Sequence, residues 1–206
     1  ETSATLAVQN KEVFEFKSKG YHTIWGHPMP PQMHGGPRDS MRGAAAGVSL
    51  HTRYTCRPSH IPDEPEWFYS GRFMHAYVQL PKFEIQVCTV YGFPASKAEA
   101  RGKTNSLLEH AIHRSRLSTH PTMICGDLNH HPDKLEATQM LRQHGYRTVE
   151  EIHHGLTGQD LPPTYGNSTR NDICLLCPIL AELVQQVWVD DSKMFAGHNP
   201  LCFSLQ

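Results

Sequence analysis

Two polar side chains, Asp127 and Asn129, follow an apolar run of the sequence and are two residues apart. The run Met123-Ile-Cys-Gly-Asp-Leu-Asn129 has the pattern of a buried strand, and alternation along a strand would place both side chains on one side. Strand ends of this kind carry the ligand sites of α/β proteins. A carboxylate there can accept a proton from water while the amide orients the water. An aspartate and an asparagine in an ordinary turn would give the same short pattern, so other segments must decide.

The surrounding segments predict a domain in which strands alternate with helices. Leu107, Leu108, Ala111 and Ile112 recur at helical spacing and predict an amphipathic helix over 97–117. We also predict helices over 5–19 and from Pro132 to Gly145, and strands over 21–25, 44–51, 72–80, 84–90, 122–125, 172–176, 184–189 and 201–205. Many strands with a few interposed helices indicate a layered α/β fold, and 206 residues fit one domain.

The net charge of the chain is too small to attract a polyanion such as nucleic acid by overall electrostatics. Lys and Arg number 19 against 20 Asp and Glu, which gives a net charge of −1. Contact with nucleic acid would therefore need a local patch. The basic residues of segment 101–116 could supply one, although a solvated helix face has the same composition. His130-His131 could likewise touch a substrate, but we favour a solvated loop pair, and we place His153-His154 in a surface turn.

The six cysteines favour an intracellular protein, in the cytoplasm or nucleus. Four of them interrupt apolar runs, which is typical of buried thiols in a reducing compartment. Cys174 and Cys177 have the spacing of half a zinc site, but no second pair completes it. No apolar run reaches the roughly 18 residues of a membrane span, so we predict none.

Several segments carry a resemblance to a known family. Gly126-Asp127-Leu128-Asn129 after a buried strand resembles the central motif of the endonuclease/exonuclease/phosphatase (DNase I-like) superfamily. Four further segments resemble the superfamily in the same order along the chain: Gly71-Arg72-Phe73, Val90-Tyr91-Gly92-Phe93-Pro94, Thr164-Tyr165 with Arg170-Asn171-Asp172-Ile173, and His198-Asn199-Pro200-Leu201. The resemblance is greatest to AP endonucleases and to LINE-type retroelement endonucleases. It implies a two-layered β-sandwich flanked by helices, formed by residues 1–206 as a single domain.

The resemblance also implies a reaction and a role for each site residue. Water attacks phosphorus in line with the leaving group; Asp127 activates or orients that water, and Asn129 lies beside it. Asp172 holds His198, which stabilises the charge that develops on the phosphate, and Tyr91 contacts the phosphate. A buried structural histidine is the alternative for His198.

The resemblance further implies a divalent cation, Mg²⁺ or Mn²⁺. The superfamily's metal-binding glutamate stands a helix's length before a Gly-Tyr pair, and Glu1, a predicted helix and Gly20-Tyr21 have this layout. Glu1 is therefore the expected metal ligand, and the superfamily's first strand is expected to be missing. The alternative is that Glu1 is a terminal acid without a role.

One position departs from the superfamily's pattern. Its members usually have Ser-Asp-His before the final proline, whereas this chain has Ala196-Gly197-His198. The lost carboxylate predicts weaker metal binding or a slower reaction. The leading prediction is a metal-dependent phosphodiester hydrolase, a nuclease acting on DNA or RNA. The alternatives are a catalytically decayed domain, which binds only or is a relic, and a phosphatase or phospholipid diesterase of the same superfamily.

Overall fold

The computed structural model describes residues 6–25, 47–51, 55–58, 71–96, 99–165, 170–191 and 199–206. The chain clusters into two compact units, Glu1–Tyr91 and Gly92–Gln206. Among the described helices, none is long and apolar enough to cross a membrane.

The first unit contains one described helix and two groups of antiparallel strands. Its elements are α1 (Leu6–Ser18), β1 (Tyr21–Trp25), β2 (Gly47–His51), β3 (Thr55–Pro58), β4 (Phe73–Gln79) and β5 (Glu84–Tyr91). Strand β1 pairs with β2, while β4 lies between β3 and β5. Consecutive residues from Phe73 to Ala76 are buried, so both faces of β4 are covered. The sequence did not predict β3, which ends at Pro58, a residue that sheets tolerate at strand ends and edges.

The second unit alternates helices with strands. Its elements are α2 (Ala100–Leu117), β6 (Thr122–Asp127), a 3₁₀ turn (Pro132–Lys134), α3 (Glu136–Gln143), β7 (Arg147–Thr148), α4 (Val149–Thr157), β8 (Asp172–Leu176), α5 (Pro178–Glu182), β9 (Val184–Val189) and β10 (Leu201–Leu205). Strand β8 pairs antiparallel with both β6 and β7, and β9 pairs antiparallel with β10. The apolar side chains that predicted α2 are buried, which confirms the core face of that helix.

Two sequence predictions in this unit were wrong in detail. Pro132 opens only the 3₁₀ turn, and α3 begins at Glu136. The segment that contains His153 forms helix α4 instead of a surface turn. The His153 ring is half-buried, and its Nδ1 lies 3.1 Å from the carbonyl oxygen of Val187. A contact with β9 therefore holds His153, although the residues next to it in the sequence indicate an exposed position.

Candidate active site

The first feature of the site is a pair of aspartates at directly opposite positions on two neighbouring strands. Asp127 ends β6, Asp172 begins β8, and the two residues are directly opposite in the antiparallel register. Residues in this relation share one face of a sheet, with Cβ atoms about 4.5–5.5 Å apart. Like charges so placed repel each other, and a cation between or beside them relieves the repulsion. The pair is therefore suited to a metal ion or a protonated imidazole.

Asn129 lies in a turn that folds back onto Asp127. Its backbone N–H donates a hydrogen bond to Asp127 Oδ1 (2.7 Å), and its Nδ2 donates to the carbonyl oxygen of Gly92 (3.1 Å). The backbone of Asn129 is left-handed, with φ of 53°, a conformation that asparagine tolerates better than most residues. The prediction that both side chains lie on one side of a strand assumed that the strand continues to Asn129, but β6 ends at Asp127. The turn, and not the pleat of a strand, brings the two residues together.

Gly92 fixes this turn from its other side. Its N–H donates to the carbonyl oxygen of Asp127 (2.7 Å), and Leu128 N–H donates to that of Asn171 (2.8 Å). A Cβ added to Gly92 would lie 1.9 Å from the carbonyl oxygen of Leu128, far inside van der Waals contact. Only glycine fits here. The sequence alone does not indicate this role, because Gly92 is there only one member of the Val90–Pro94 motif.

The segment before Asp172 is also anchored. The Arg170 guanidinium donates to the carbonyl oxygen of Leu161, and its charge acts on the half-buried Glu150. Burial raises the pKa of the Glu150 carboxyl, while hydrogen bonds and the charge of Arg170 lower it. These contacts hold the chain that leads into β8 and to Asp172.

His198, Gly197 and Glu1 lie outside the described residues. The residue that follows His198 is described: Asn199 N–H donates to the carbonyl oxygen of Thr164 (2.7 Å). The Thr164-Tyr165 and His198-Asn199 segments, which both entered the resemblance, are thus joined through a backbone hydrogen bond.

Tyr91 belongs to the first unit, where it is the last residue of β5. It is buried, and its N–H donates to the carbonyl oxygen of Arg72 (2.8 Å). The Arg72 guanidinium carbon lies 5.0 Å from the centre of the Tyr91 ring, and Nη1 donates to the carbonyl oxygen of Tyr91 (3.3 Å). Arg72 therefore holds the tyrosine. In the sequence, Arg72 is only one member of the Gly71-Arg72-Phe73 motif, and nothing there indicates its contact with Tyr91.

The donors in the described residues suit a hard cation but do not complete a site for one. Carboxylate oxygens are the ligands that Mg²⁺ and Mn²⁺ prefer, and Asp127 and Asp172 supply them. Across the described ranges, no group of three or more His, Cys, Asp or Glu side chains could hold a metal ion.

Comparisons with known proteins identify the fold. No protein-family model matches the chain, and no curated protein matches it in sequence. Solved structures do match. An AP endonuclease from Archaeoglobus fulgidus superposes with a TM-score of 0.62 at 17% identity, over 94% of this chain and 82% of the other. The 3'-5' exonuclease NExo from Neisseria meningitidis gives 0.62 at 13% identity, over 93% and 82% of the two chains. The endonuclease domain of TRAS1, a telomere-specific non-LTR retrotransposon, gives 0.61 at 16% identity, over 91% and 79%.

The chain therefore has the α/β DNase I-like fold of these structures, as its sequence predicts. At these identities the likeness defines the fold and leaves the reaction to be argued from the site.

Proposed function

We propose that this chain is a divalent-metal-dependent phosphodiester hydrolase that acts on DNA or RNA. The observation that carries the proposal is the pairing of Asp127 with Asp172 at the common end of β6 and β8, with Asn129 folded back onto Asp127. The similar solved structures support it, since they include two endonucleases and an exonuclease.

Asp127 is the residue that acts on the attacking water. Its carboxylate accepts the proton of the water or orients it, and the N–H of Asn129 holds one carboxylate oxygen in place through a charge-assisted hydrogen bond. Hydrogen bonds from Gly92 and Asn129 restrain the backbone of the same turn. A carboxylate fixed in this way loses little conformational freedom in the transition state.

The remaining roles follow the superfamily. Asp172 accepts a hydrogen bond from His198, whose imidazole stabilises charge developing on the phosphate, and Tyr91 contacts a phosphate oxygen. Glu1 would hold Mg²⁺ or Mn²⁺, and the bound ion would supply positive charge next to the phosphate.

A catalytically decayed domain is the second candidate, because Gly197 stands where the superfamily usually has an aspartate. Phosphatases and phospholipid diesterases share the fold and form a third. Whichever activity applies, the six free cysteines favour a reducing compartment, such as the cytoplasm or nucleus.

Nicking of a supercoiled plasmid, measured against Mg²⁺ and Mn²⁺ concentration, tests the proposal. Asp127→Asn should reduce the nicking rate about 100-fold or more, since the loss of a general base costs roughly that much. Asp160→Asn is the matched control, because the Asp160 side chain is 75% exposed and contacts His154 instead of the site. It should retain the wild-type rate.

Two outcomes would contradict the proposal. Equal losses in both variants would show that Asp127 has no special role. A wild-type protein that cleaves neither a plasmid, nor a small phosphodiester, nor a phosphomonoester with any divalent metal would favour the decayed domain.

A further inference from the structure

A group of basic side chains lies beside the Asp127 end of β6. We call Arg101, Lys103 and Lys134 the basic rim, because the charges of Arg101 and Lys134 act on the His130 ring and Lys103 lies over the Phe93 ring. Arg101 and Lys103 belong to the first turn of α2, and Lys134 ends the 3₁₀ turn. All three are exposed, whereas His130 is half-buried. The sequence interpretation of a solvated pair thus fits His131, which is exposed, but not His130.

The His130 ring is the point on which the rim converges. It forms a hydrogen bond with the Phe93 backbone, and its Nε2 is buried with no hydrogen-bond partner in the described part of the chain. Burial lowers the pKa of His130, and the charges of Arg101 and Lys134 lower it further. Both cations are therefore close enough to act on the imidazole. Lys103 Nζ lies 5.8 Å from the centre of the Phe93 ring.

The rim is joined directly to the active-site turn. His130 follows Asn129 in the chain, and the charge of Asp127 also acts on its ring. Phe93 follows Gly92, and its N–H donates to Thr104 Oγ1 (2.9 Å), which ties the segment to α2. His130 accordingly connects the basic rim to the turn that holds the carboxylate we assign to catalysis.

The charges of the rim are available to a ligand. Neither Arg101 nor Lys134 forms an ion pair with a carboxylate of the described residues, and Lys103 reaches only Glu99, at 3.8 Å on an exposed surface where such a pair contributes little. Arg142 shows the contrast, since it lies 2.7 Å from carboxylate oxygens on two residues. Arg101 and Lys134 are thus two exposed cations that form no ion pair with a carboxylate of the described residues.

We propose that the basic rim binds backbone phosphates next to the phosphodiester that is hydrolysed, so that a polynucleotide strand is bound more tightly than a small phosphodiester. The inference rests on the proposed function and deepens it. A small phosphodiester carries one negative charge, at the phosphate that is hydrolysed, and therefore offers the basic rim no further phosphate to bind. A strand carries a row of phosphates, and Arg and Lys contacts to them set its position without reading its sequence.

Equilibrium binding separates this inference from catalysis. The probe is a fluorescein-labelled single-stranded oligonucleotide in EDTA, and its affinity is measured by anisotropy at about 50–200 mM KCl. In Arg101→Gln/Lys134→Gln we expect roughly tenfold weaker binding at low salt and a salt dependence (log Kd against log salt) shallower by about 1.4, since each phosphate contact on a single strand contributes about 0.7. Arg116→Gln is the matched control, because Arg116 lies on the same helix about 22 Å away. It should leave affinity and slope unchanged.

Hydrolysis of bis(p-nitrophenyl) phosphate provides the second measurement. If the rim binds only flanking phosphates, the double variant cleaves this compound at the wild-type rate while its cleavage of the oligonucleotide falls. A double variant with the oligonucleotide affinity and salt slope of Arg116→Gln would overturn the inference, as would an equal loss on both substrates. Failure of the proposed function would give a different result. The wild type and both variants would then hydrolyse neither substrate, whatever the dependence of their oligonucleotide affinity on salt.

Discussion

Replacing Gly92 by alanine tests the architecture of the active-site turn. The new Cβ would lie 1.9 Å from the oxygen, 2.4 Å from the carbon and 2.8 Å from the Cα of Leu128, all of them backbone atoms that cannot rotate away. The strand end must therefore move, which weakens the bonds from Gly92 N–H to Asp127 (2.7 Å) and from Asn129 Nδ2 to Gly92 (3.1 Å). Each hydrogen bond contributes about 1 kcal/mol, and overpacking costs about 1–3 kcal/mol. We expect a loss of about 3–5 kcal/mol in the free energy of unfolding.

Urea denaturation followed by circular dichroism measures this loss, which corresponds to a decrease in melting temperature of about 10 °C for a chain of this size. The control is Gly102→Ala on the exposed face of α2, where an added Cβ meets nothing within 4 Å. That variant should gain about 0.5–1 kcal/mol, because alanine favours a helix over glycine. If Gly92→Ala unfolds within about 0.5 kcal/mol of wild type, the close approach does not exist and the geometry of the turn is wrong.

Three further substitutions test separate parts of the molecule. Thr148→Ala removes the capping box that Thr148 forms with Glu151 at the start of α4, and should cost about 1 kcal/mol in urea denaturation. Glu150→Gln should raise the melting temperature at pH 7–8. Burial raises the pKa of Glu150, so its ionised form opposes folding; the gain should shrink as pH falls and disappear below the ordinary pKa of 4.5. Gly197→Asp should increase plasmid nicking at low Mg²⁺ about tenfold, since about 1.4 kcal/mol of added metal affinity is worth that factor. Asp127→Asn in the same background should abolish the increase, and an unchanged rate would mean that position 197 does not limit the site.

The sequence by itself determined those helices and strands whose apolar pattern lies within one short segment of the chain. The bounds of β8, β9 and β10 agree with those predicted, because each is a short segment rich in β-branched and other apolar residues. The apolar residues of α2 are buried because their helical spacing places them on one face of the helix. Segments matching the superfamily in order along the chain were sufficient to predict its fold, which the solved structures confirm.

Tertiary structure alone decided which side chains meet. The register that places Asp127 opposite Asp172 comes from the pairing of two strands that are far apart in the sequence, and no local pattern encodes it. The same holds for the glycine at position 92, which is required by the backbone of Leu128, and for the contact of His153 with Val187. The spacing of apolar residues is a property of residues that are close in the sequence, so it can be recognised without a structure. Strand register, close backbone contacts and the burial of polar groups depend on segments that only folding brings together.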